Sequence, residues 1–163
     1  MNAYEYAMRM ELEAEKLYRD MADKTSDGKL KSVLVMLADE ELKHYKAFEK
    51  MSKNQTIEAA KGFDVKQSAR KIFVALKAEN KRYNFNDEQV AFYKKAADVE
   101  DKSYQFYMQK AAEESDESLK NAWTLIAEEE KKHQELLENI ANFVASPNLW
   151  LESAEFYRII EED

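Results

Sequence analysis

The sequence has 163 residues, 45% of them hydrophobic and 36% charged, with a formal net charge of −8, two Gly, one Pro and no Cys. This size favours one domain with one core, and the scarcity of Gly and Pro is typical of long helices. The lack of Cys excludes disulfides, structural Cys-zinc sites and iron–sulfur centres within the chain. Lys and Arg are dispersed along the sequence, so we expect no nucleic-acid binding. The sequence has no apolar run of the length or position that predicts a signal peptide or a membrane span, and we therefore expect a cytoplasmic location.

The first part of the sequence predicts a helical hairpin. Apolar residues recur three and four positions apart over about residues 2–24, which predicts a helix whose buried stripe contains Glu11. Residues 25–28 read as a turn with an N-cap, and a second helix follows to about Ser52 with Glu41 in its apolar stripe. At about 1.5 Å per residue, an antiparallel hairpin brings these two Glu to the same height.

A second hairpin follows after a long connection. Residues 54–85 are predicted to cross over the length of a bundle, with a shorter helix over about residues 64–80. The sequence NDEQ has the form of a capping box and starts a third helix over about residues 86–114. A fourth helix, capped by Ser-Asp, extends over about residues 116–145.

The C-terminal tail, residues 146–163, begins with Ser-Pro-Asn, which ends the fourth helix. Residues 1–145 are therefore predicted to form the helical domain. The apolar residues of the tail are Leu149, Trp150, Leu151, Phe156, Tyr157, Ile159 and Ile160. A segment this apolar is expected to dock, either on its own bundle or on a partner chain.

A seven-residue motif occurs twice. ADEELKH ends at His44 and AEEEKKH ends at His133, so each His follows a Glu by three positions, Glu41 and Glu130 respectively. Residues three apart share a face of a helix, so each motif directs a carboxylate and an imidazole toward one point. This is the geometry of a pair of metal ligands.

The motif belongs to a longer repeat, in which many residues 89 positions apart are identical. The matched pairs include Tyr4 and Tyr93, Ala7 and Ala96, Glu11 and Glu100, Tyr18 and Tyr107, Asp27 and Asp116, Glu41 and Glu130, and His44 and His133. Two copies joined by a long segment indicate one supersecondary unit used twice, because a solenoid needs more repeats to bury its core. Each hairpin then supplies one Glu from its first helix and Glu-x-x-His from its second.

Six side chains are thus candidate metal ligands. They are Glu11, Glu41, His44, Glu100, Glu130 and His133. The alternative, that the Glu–His pairs are surface ion pairs, is disfavoured because all six interrupt apolar stripes at one level, where carboxylates without a cation would cost many kcal/mol. Two divalent ions would balance four carboxylates. A carboxylate–imidazole set suits iron or manganese, whereas structural zinc favours thiolates or closed His sites.

The two hairpins resemble the rubrerythrin branch of the ferritin-like di-iron proteins. The resemblance covers about residues 2–53 and 86–145, through MELEAEKLYRDMA, LADEELKH, VEDKSYQFYMQKA and IAEEEKKH. It implies an all-α, ferritin-like four-helix bundle built from two helical hairpins with a long crossover between helices 2 and 3. It also implies two iron ions, cycling between Fe2+ and Fe3+, that reduce hydrogen peroxide or react with dioxygen.

By the same resemblance, the carboxylates have two roles. Glu41 and Glu130 would bridge both ions, whereas Glu11 and Glu100 would each bind one ion as terminal ligands.

Four further side chains are candidates for contacts with the ligands. Tyr18 and Tyr107 lie on the ligand face two turns after the first Glu of each hairpin, where they can hydrogen-bond a ligand carboxylate across the bundle. The alternative is that both are core aromatics with a satisfied hydroxyl. Glu40 and Glu129 are placed to accept the Nδ1 proton of the opposite His, or else they are plain surface charges.

Two features depart from rubrerythrins proper. Those proteins carry an additional carboxylate three residues before the third-helix ligand, used in the redox switch of the iron, and this sequence has Ala97 there. They also carry a Cys-bound iron domain that supplies electrons, and this sequence has no Cys. Efficient peroxidase turnover is therefore in question, and we expect a separate electron-donor protein.

Three functions remain open from the sequence. The first is a di-iron oxidoreductase acting on hydrogen peroxide. The second is iron handling, in which a ferroxidase site oxidises Fe(II) and the product is released or stored. The third is a metal-stabilised bundle whose function is a partner surface. The apolar tail favours a small oligomer over a storage cage, and we expect a homodimer.

Overall fold

The computed structural model describes residues 1–55, 65–79, 82–152 and 158. Within this part of the chain the regular structure is entirely helical. The helices are α1 (Ala3–Lys24), α2 (Gly28–Ser52), α3 (Val65–Ala78), α4 (Asp87–Glu113), α5 (Glu117–Ala145) and α6 (Pro147–Leu151). The all-α prediction is confirmed, and none of the described helices is long and apolar enough to cross a membrane.

Side-chain caps start the four long helices close to the predicted positions. Asn2, Asp27, Asn86 and Asp116 each accept a hydrogen bond from a backbone N–H two or three residues later, at 2.8–2.9 Å. Asn86 N–H in turn donates to the Gln89 side chain at 3.3 Å, which completes the predicted capping box. Each cap satisfies a donor that the helix leaves unpaired, for about 1 kcal/mol.

The turn between α1 and α2 is three residues long, 25–27. Thr25 closes α1, because its hydroxyl donates to the Met21 carbonyl at 2.7 Å and its N–H to the Ala22 carbonyl at 3.2 Å. A turn this short makes the two helices antiparallel neighbours, and they pack along each other. The predicted first hairpin is therefore present.

The chain divides into two compact units. The first comprises Met1–Gly62 and Lys102–Glu130, and the second comprises Phe63–Asp101 and Lys131–Asp163. The predicted domain of residues 1–145, followed by a separate tail, stays a prediction.

An aromatic cluster forms much of the core of the first unit. Phe48, Tyr107 and Trp123 are each at most 2% exposed, and their ring centroids lie 4.9–5.8 Å apart. Tyr4 stacks on Trp123 at 5.3 Å. Burying a large apolar side chain contributes about 1.5–3 kcal/mol, so this cluster fixes how α2, α4 and α5 are rotated within the unit. Phe48 follows His44 by one helical turn, which places the candidate ligands beside a well-packed layer.

In the second unit, aromatic side chains hold α3 and α6. Phe73 of α3 is fully buried and contacts Trp150 of α6, with ring centroids 4.5 Å apart. Trp150 also meets Phe143 of α5 at 6.0 Å. The first turn of the tail therefore packs on its own chain, and it is helical, which the sequence analysis did not predict.

Parts of two predicted segments lie outside the described residues. The crossover helix, predicted over 64–80, is α3, while residues 56–64 and 80–81 of the crossover are not described. In the tail, the description stops at residue 152 apart from Arg158. The docking predicted for the other apolar residues of the tail, Phe156, Tyr157, Ile159 and Ile160, therefore lies outside the described residues.

Candidate metal centre

All six predicted ligands are buried on the long helices. Their exposed fractions are 1% for Glu11, Glu41, Glu100, Glu130 and His133, and 4% for His44. A carboxylate is almost never this buried without a partner. The surface ion-pair alternative is therefore wrong for these residues.

Four of the six meet in the first unit. Glu11 of α1, Glu41 and His44 of α2, and Glu130 of α5 each offer a ligand atom, and these atoms all lie within 4.8 Å of one another. His44 Nδ1 is 2.8 Å from Glu130 Oε1 and 3.6 Å from Glu11 Oε1. Nδ1 is thus the imidazole nitrogen that faces the carboxylates of the candidate ligands.

The donor set fits a metal ion of the iron or manganese type. Three carboxylates and one imidazole provide hard oxygen donors with one nitrogen, and four ligands leave open positions on an octahedral ion. Among the described residues, Glu11 Oε2 is buried and accepts no hydrogen bond, as expected of an oxygen available to a cation. The cluster therefore has the composition and burial of a carboxylate metal site.

The remaining two predicted ligands pair within the second unit. His133 Nδ1 of α5 lies 3.8 Å from Glu100 Oε2 of α4, and both side chains are 1% exposed. The nitrogen that faces the carboxylate is again Nδ1, as in the first group.

Tyr107 contacts the candidate ligand Glu11, as the sequence predicted. Its hydroxyl donates to Glu11 Oε1 at 2.7 Å, from α4 to α1. Burial raises the pKa of Tyr107 well above 10, and the nearby charges of Glu11 and Glu130 raise it further. The hydroxyl therefore keeps its proton and remains a donor to the carboxylate. Tyr18 is fully buried, and its predicted contact with a ligand stays a prediction.

Glu129 contacts the opposite His, but through the other nitrogen. Its carboxylate forms a short contact with His44 Nε2, whereas the sequence analysis proposed Nδ1. The reason is that Nδ1 points at the ligand carboxylates, which leaves Nε2 for the outer contact. Glu40 is 2% exposed, with Lys43 Nζ 3.5 Å from its carboxylate, so it is not a plain surface charge. Neither residue could be assigned from spacing, because each is one position away from a ligand.

Protonation of the metal-free cluster follows from this geometry. Burial lowers the pKa of His44, but the charges and hydrogen bonds of Glu11, Glu129 and Glu41 outweigh burial and hold it well above 6.5. Burial raises the pKa of Glu11, but contacts with Glu41, His44 and Tyr107 outweigh it and lower the pKa to about 2. Without a metal, an imidazolium therefore supplies the positive charge among the carboxylates.

Buried helix-borne carboxylates and histidines in an all-α chain define the class of ferritin-like carboxylate metalloproteins. The family model of rubrerythrin matches residues 2–141, which is most of the chain. The protein belongs to the rubrerythrin family and has its ferritin-like, all-α fold. Comparison with curated proteins and with solved structures found no match. The family together with the buried cluster indicates a di-iron type of protein.

Proposed function

We propose that the protein is a non-haem di-iron oxidoreductase that reduces hydrogen peroxide. The observation that carries the proposal is the buried cluster of Glu11, Glu41, His44 and Glu130, whose ligand atoms lie within 4.8 Å of one another. Such a cluster costs stability unless a cation enters it, so its presence in the core requires a function. Membership of the rubrerythrin family points to iron as that cation and to peroxide as the substrate.

The ligands divide between two ions. Glu11 and His44 would hold one ion, Glu100 and His133 would hold the other, and Glu41 and Glu130 would supply the remaining carboxylates. Two observations support this division: the close approach of His133 to Glu100, and the helical spacing of three residues between each His and the preceding Glu. Four carboxylates carry −4, which two divalent ions neutralise.

When bound, the iron pair supplies the two electrons that cleave the O–O bond of peroxide, and two protons complete its reduction to two waters. The residues around the candidate ligands hold them in position and provide a proton donor. Glu129 holds His44 Nε2, which keeps Nδ1 directed at Glu11 and Glu130, where it would be available to a bound ion. The Tyr107 hydroxyl oxygen lies 2.7 Å from Glu11 Oε1 and keeps its proton, so a buried donor lies beside this carboxylate. The burial of the ligands limits access of bulk water.

The proposal includes a source of electrons outside this sequence. The sequence has no Cys, so the Cys-bound iron that passes electrons in rubrerythrins lies outside it. We therefore include a separate electron-donor protein, in the reducing cytoplasm, in the proposal.

The test is the choice of oxidant. Protein loaded anaerobically with Fe(II) is mixed in a stopped-flow instrument with hydrogen peroxide or with dioxygen, and the absorbance of the oxidised iron is followed. We expect oxidation to be much faster with peroxide, with one equivalent consumed per iron pair. Dioxygen reacting as fast as peroxide would contradict the proposal. Glu11→Ala is the control, because oxidation that persists in this variant comes from Fe(II) that is not bound at the site.

Iron handling is the second candidate, and Ala97 favours it. This residue, 5% exposed, takes the place of the carboxylate that rubrerythrins use in their redox switch, so one ion lacks an alternative ligand. In that case Fe(II) is the substrate rather than a resident cofactor. Catalytic consumption of excess Fe(II) with dioxygen in the same experiment would identify a ferroxidase.

A further inference from the structure

Three aromatic side chains that can be oxidised form a row between a candidate ligand and the surface of the first unit. They are Tyr107 of α4, Trp123 of α5 and Tyr4 of α1. The ring centroids of Tyr107 and Trp123 lie 5.8 Å apart, and those of Trp123 and Tyr4 lie 5.3 Å apart. Rings at these centroid distances are in contact, so an electron can pass from one to the next. We call this row the aromatic relay.

The inner end of the aromatic relay is joined to the candidate metal centre by a hydrogen bond. Tyr107 is fully buried, and its hydroxyl donates to Glu11 Oε1 at 2.7 Å. A buried phenol loses an electron readily only if its proton leaves at the same time, because the phenol radical cation is a very strong acid. Glu11 lies within hydrogen-bond reach of that proton and can accept it. Tyr107 therefore has the partner that its one-electron oxidation needs.

The outer end of the aromatic relay reaches solvent. Trp123 is 2% exposed, whereas Tyr4 is only partly buried and stacks on Trp123 with an angle of 20° between the ring planes. Water can therefore accept the Tyr4 proton. Phe48 and Phe106 also contact Trp123, but a phenyl ring is not oxidised at potentials that oxidise tyrosine and tryptophan. Among these rings, electrons are therefore exchanged through Trp123 and Tyr4.

We propose that the aromatic relay carries single electrons from the protein surface to the metal centre when hydrogen peroxide meets a site that holds only one Fe(II). The inference rests on the proposed function. Reduction of peroxide to two waters takes two electrons, and one Fe(II) supplies one of them. Tyr107 supplies the second electron, and its proton moves to Glu11 Oε1. Without the second electron, one-electron cleavage of peroxide would release a hydroxyl radical inside the protein.

The aromatic relay then returns Tyr107 to its starting state. Trp123 passes an electron to Tyr107 and takes one from Tyr4, while the proton on Glu11 returns to Tyr107 and the Tyr4 proton goes to water. In sum, one Fe(II), one Tyr4 phenol, one peroxide and one proton become one Fe(III), one Tyr4 phenoxyl radical and two waters. An enediol reductant such as ascorbate, which meets Tyr4 at the surface, gives back the electron and the proton.

A site with one Fe(II) is expected to occur regularly in this protein. The sequence has no Cys, so the proposed function takes its electrons from a separate donor. A donor that carries one electron delivers the two electrons of the iron pair in separate encounters. Between those encounters the site is one electron short of what peroxide needs, and the aromatic relay supplies that electron.

Rapid freeze-quench EPR tests the iron-loaded protein. Protein prepared anaerobically with one Fe(II) per chain is mixed with hydrogen peroxide and frozen at increasing times. We expect a tyrosyl radical, identified by the change of its spectrum when the tyrosines are deuterated, and we expect ascorbate to remove it. In Trp123→Phe, which keeps an aromatic ring and removes the oxidisable indole, the radical should stay on Tyr107 and resist ascorbate. Tyr4→Phe should also lose the reaction with ascorbate.

Two matched variants control for general oxidation. Tyr6→Phe removes another tyrosine of α1 that is 46% exposed, whose ring contacts Phe106. Trp150→Phe removes the tryptophan of the second unit. Both should behave like the unsubstituted protein. Trp123→Tyr, which restores an oxidisable ring, should restore the reaction with ascorbate, whereas a purely structural role of Trp123 would not distinguish it from Trp123→Phe. Circular dichroism and bound-iron content check that each variant is folded and loaded.

A second measurement needs no metal. In metal-free Trp150→Phe, Trp123 is the one tryptophan left, and a laser flash that ionises tryptophan forms the radical there. The absorbances of the tryptophan radical and the tyrosyl radical are then followed with time. We expect the first to convert into the second at a rate that does not depend on protein concentration. The conversion should be lost when Tyr4→Phe and Tyr107→Phe are combined in the same protein.

The outcomes separate the aromatic relay from the proposed function. A Trp123 radical that decays without forming a tyrosyl radical would overturn the relay, whatever the metal does. The relay is also wrong if peroxide oxidises bound Fe(II) and no tyrosyl radical forms, or if Tyr6→Phe removes the radical while Tyr4→Phe changes nothing. If peroxide leaves bound Fe(II) unoxidised, the proposed function fails, and the role of the relay at this site fails with it, even where the flash experiment succeeds.

Discussion

Helix α1 carries charged side chains on two faces, and the faces differ in nearly every physical respect. On the inner face, Glu11 is 1% exposed, accepts a hydrogen bond from Tyr107 and lies 3.6 Å from His44. On the outer face, Arg9 and Glu13 are each 66% exposed and pair only one helical turn apart. The same residue type, Glu, thus has two environments within two positions of sequence.

The two faces differ in how much their charged side chains contribute to stability. An exposed pair spaced four residues apart contributes about 0.3–0.5 kcal/mol. A buried carboxylate costs several kcal/mol unless an opposite charge compensates it. The inner face therefore depends on a positive charge among its carboxylates, which is the His44 imidazolium in the metal-free protein, and the outer face is nearly neutral. Burial of the carboxylate, rather than its presence, is the signal of a site.

Removing one carboxylate from each face should give the largest contrast. Glu11→Ala is expected to lose at least one bound ion. The metal-free variant should also be less stable above pH 4.5, because the lowered pKa of Glu11 marks a net stabilising environment and Tyr107 loses its acceptor. Glu13→Ala, the matched control, should keep its metal. Metal analysis after anaerobic Fe(II) loading measures the first effect, with two ions per chain expected in the unsubstituted protein.

Thermal unfolding measures how much the bound metal stabilises the protein. At about a hundredfold excess of metal over Kd, binding stabilises by about 2.7 kcal/mol, or about 5–10 °C for a chain of this size. This shift should be absent in Glu11→Ala. The shared ligands sharpen the contrast, because Glu41→Ala and Glu130→Ala should lose both ions and remain helical. Equal metal content in Glu11→Ala and Glu13→Ala would contradict the comparison.

Removing the Tyr107 hydroxyl should have a smaller effect on metal binding than removing Glu11. Tyr107→Phe removes the hydrogen bond to Glu11 and keeps the ring against Phe48 and Trp123. We expect metal affinity to fall about 10–100-fold, as for other hydrogen bonds to metal ligands, with little change in folding. Tyr4→Phe is the control, because that ring stacks on Trp123 and makes no described contact with a ligand. Titration with Mn(II) measures both affinities, and equal values would refute the role of Tyr107.

A rise in pH should lower the stability of the metal-free protein and raise its affinity for metal. The folded-state pKa of His44 is raised above 6.5, so its stabilising contribution is complete below pH 6.5 and is lost as pH rises through that pKa. The pKa of Glu11 is lowered from 4.5 to about 2, so its contribution is present above pH 4.5 and is lost as pH falls toward 2. The metal-free protein should therefore lose stability as pH rises above about 6.5.

Metal binding requires a neutral His44 and releases its proton. Affinity should then rise with pH, by up to about tenfold per unit while His44 is protonated in the metal-free form. Urea unfolding of the metal-free protein and Mn(II) titration, both between about pH 5.5 and 8.5, give the two slopes. A metal affinity that does not rise with pH, together with a metal-free stability that does not fall, would show that His44 is neutral before the metal enters.

The smallest effect is expected on the outer face. Arg19 pairs with Glu15 at 2.8 Å and with Asp39 of α2 at 3.0 Å, and its side chain is 40% exposed. Arg19→Ala should lower the free energy of unfolding by less than about 1 kcal/mol and leave metal content unchanged. Denaturant unfolding checks this. A loss of several kcal/mol would mean that outer charges, too, hold the fold.

Much of the fold was predictable because the helices obey local rules. The caps at Asn2, Asp27, Asn86 and Asp116 follow from residue type, and the buried stripes follow from spacing. The helical first turn of the tail was not predicted, because Pro147 can either end a helix or begin one.

The burial of the six candidate ligands was predictable because the repeat marks them twice. The contact from Tyr107 to Glu11 also followed from the spacing along the ligand face. The nitrogen that Glu129 contacts did not, since it depends on how the His44 ring is rotated by its neighbours.

The chain has two tryptophans, and they fall one in each compact unit. Trp123 is stacked with Tyr4 in the first unit, and Trp150 lies against Phe73 in the second. Each unit thus carries its own intrinsic fluorophore, and a Trp→Phe replacement at either position leaves the other as a single emitter. Fluorescence can therefore follow the two units separately during unfolding and show whether they melt in one cooperative transition or in sequence.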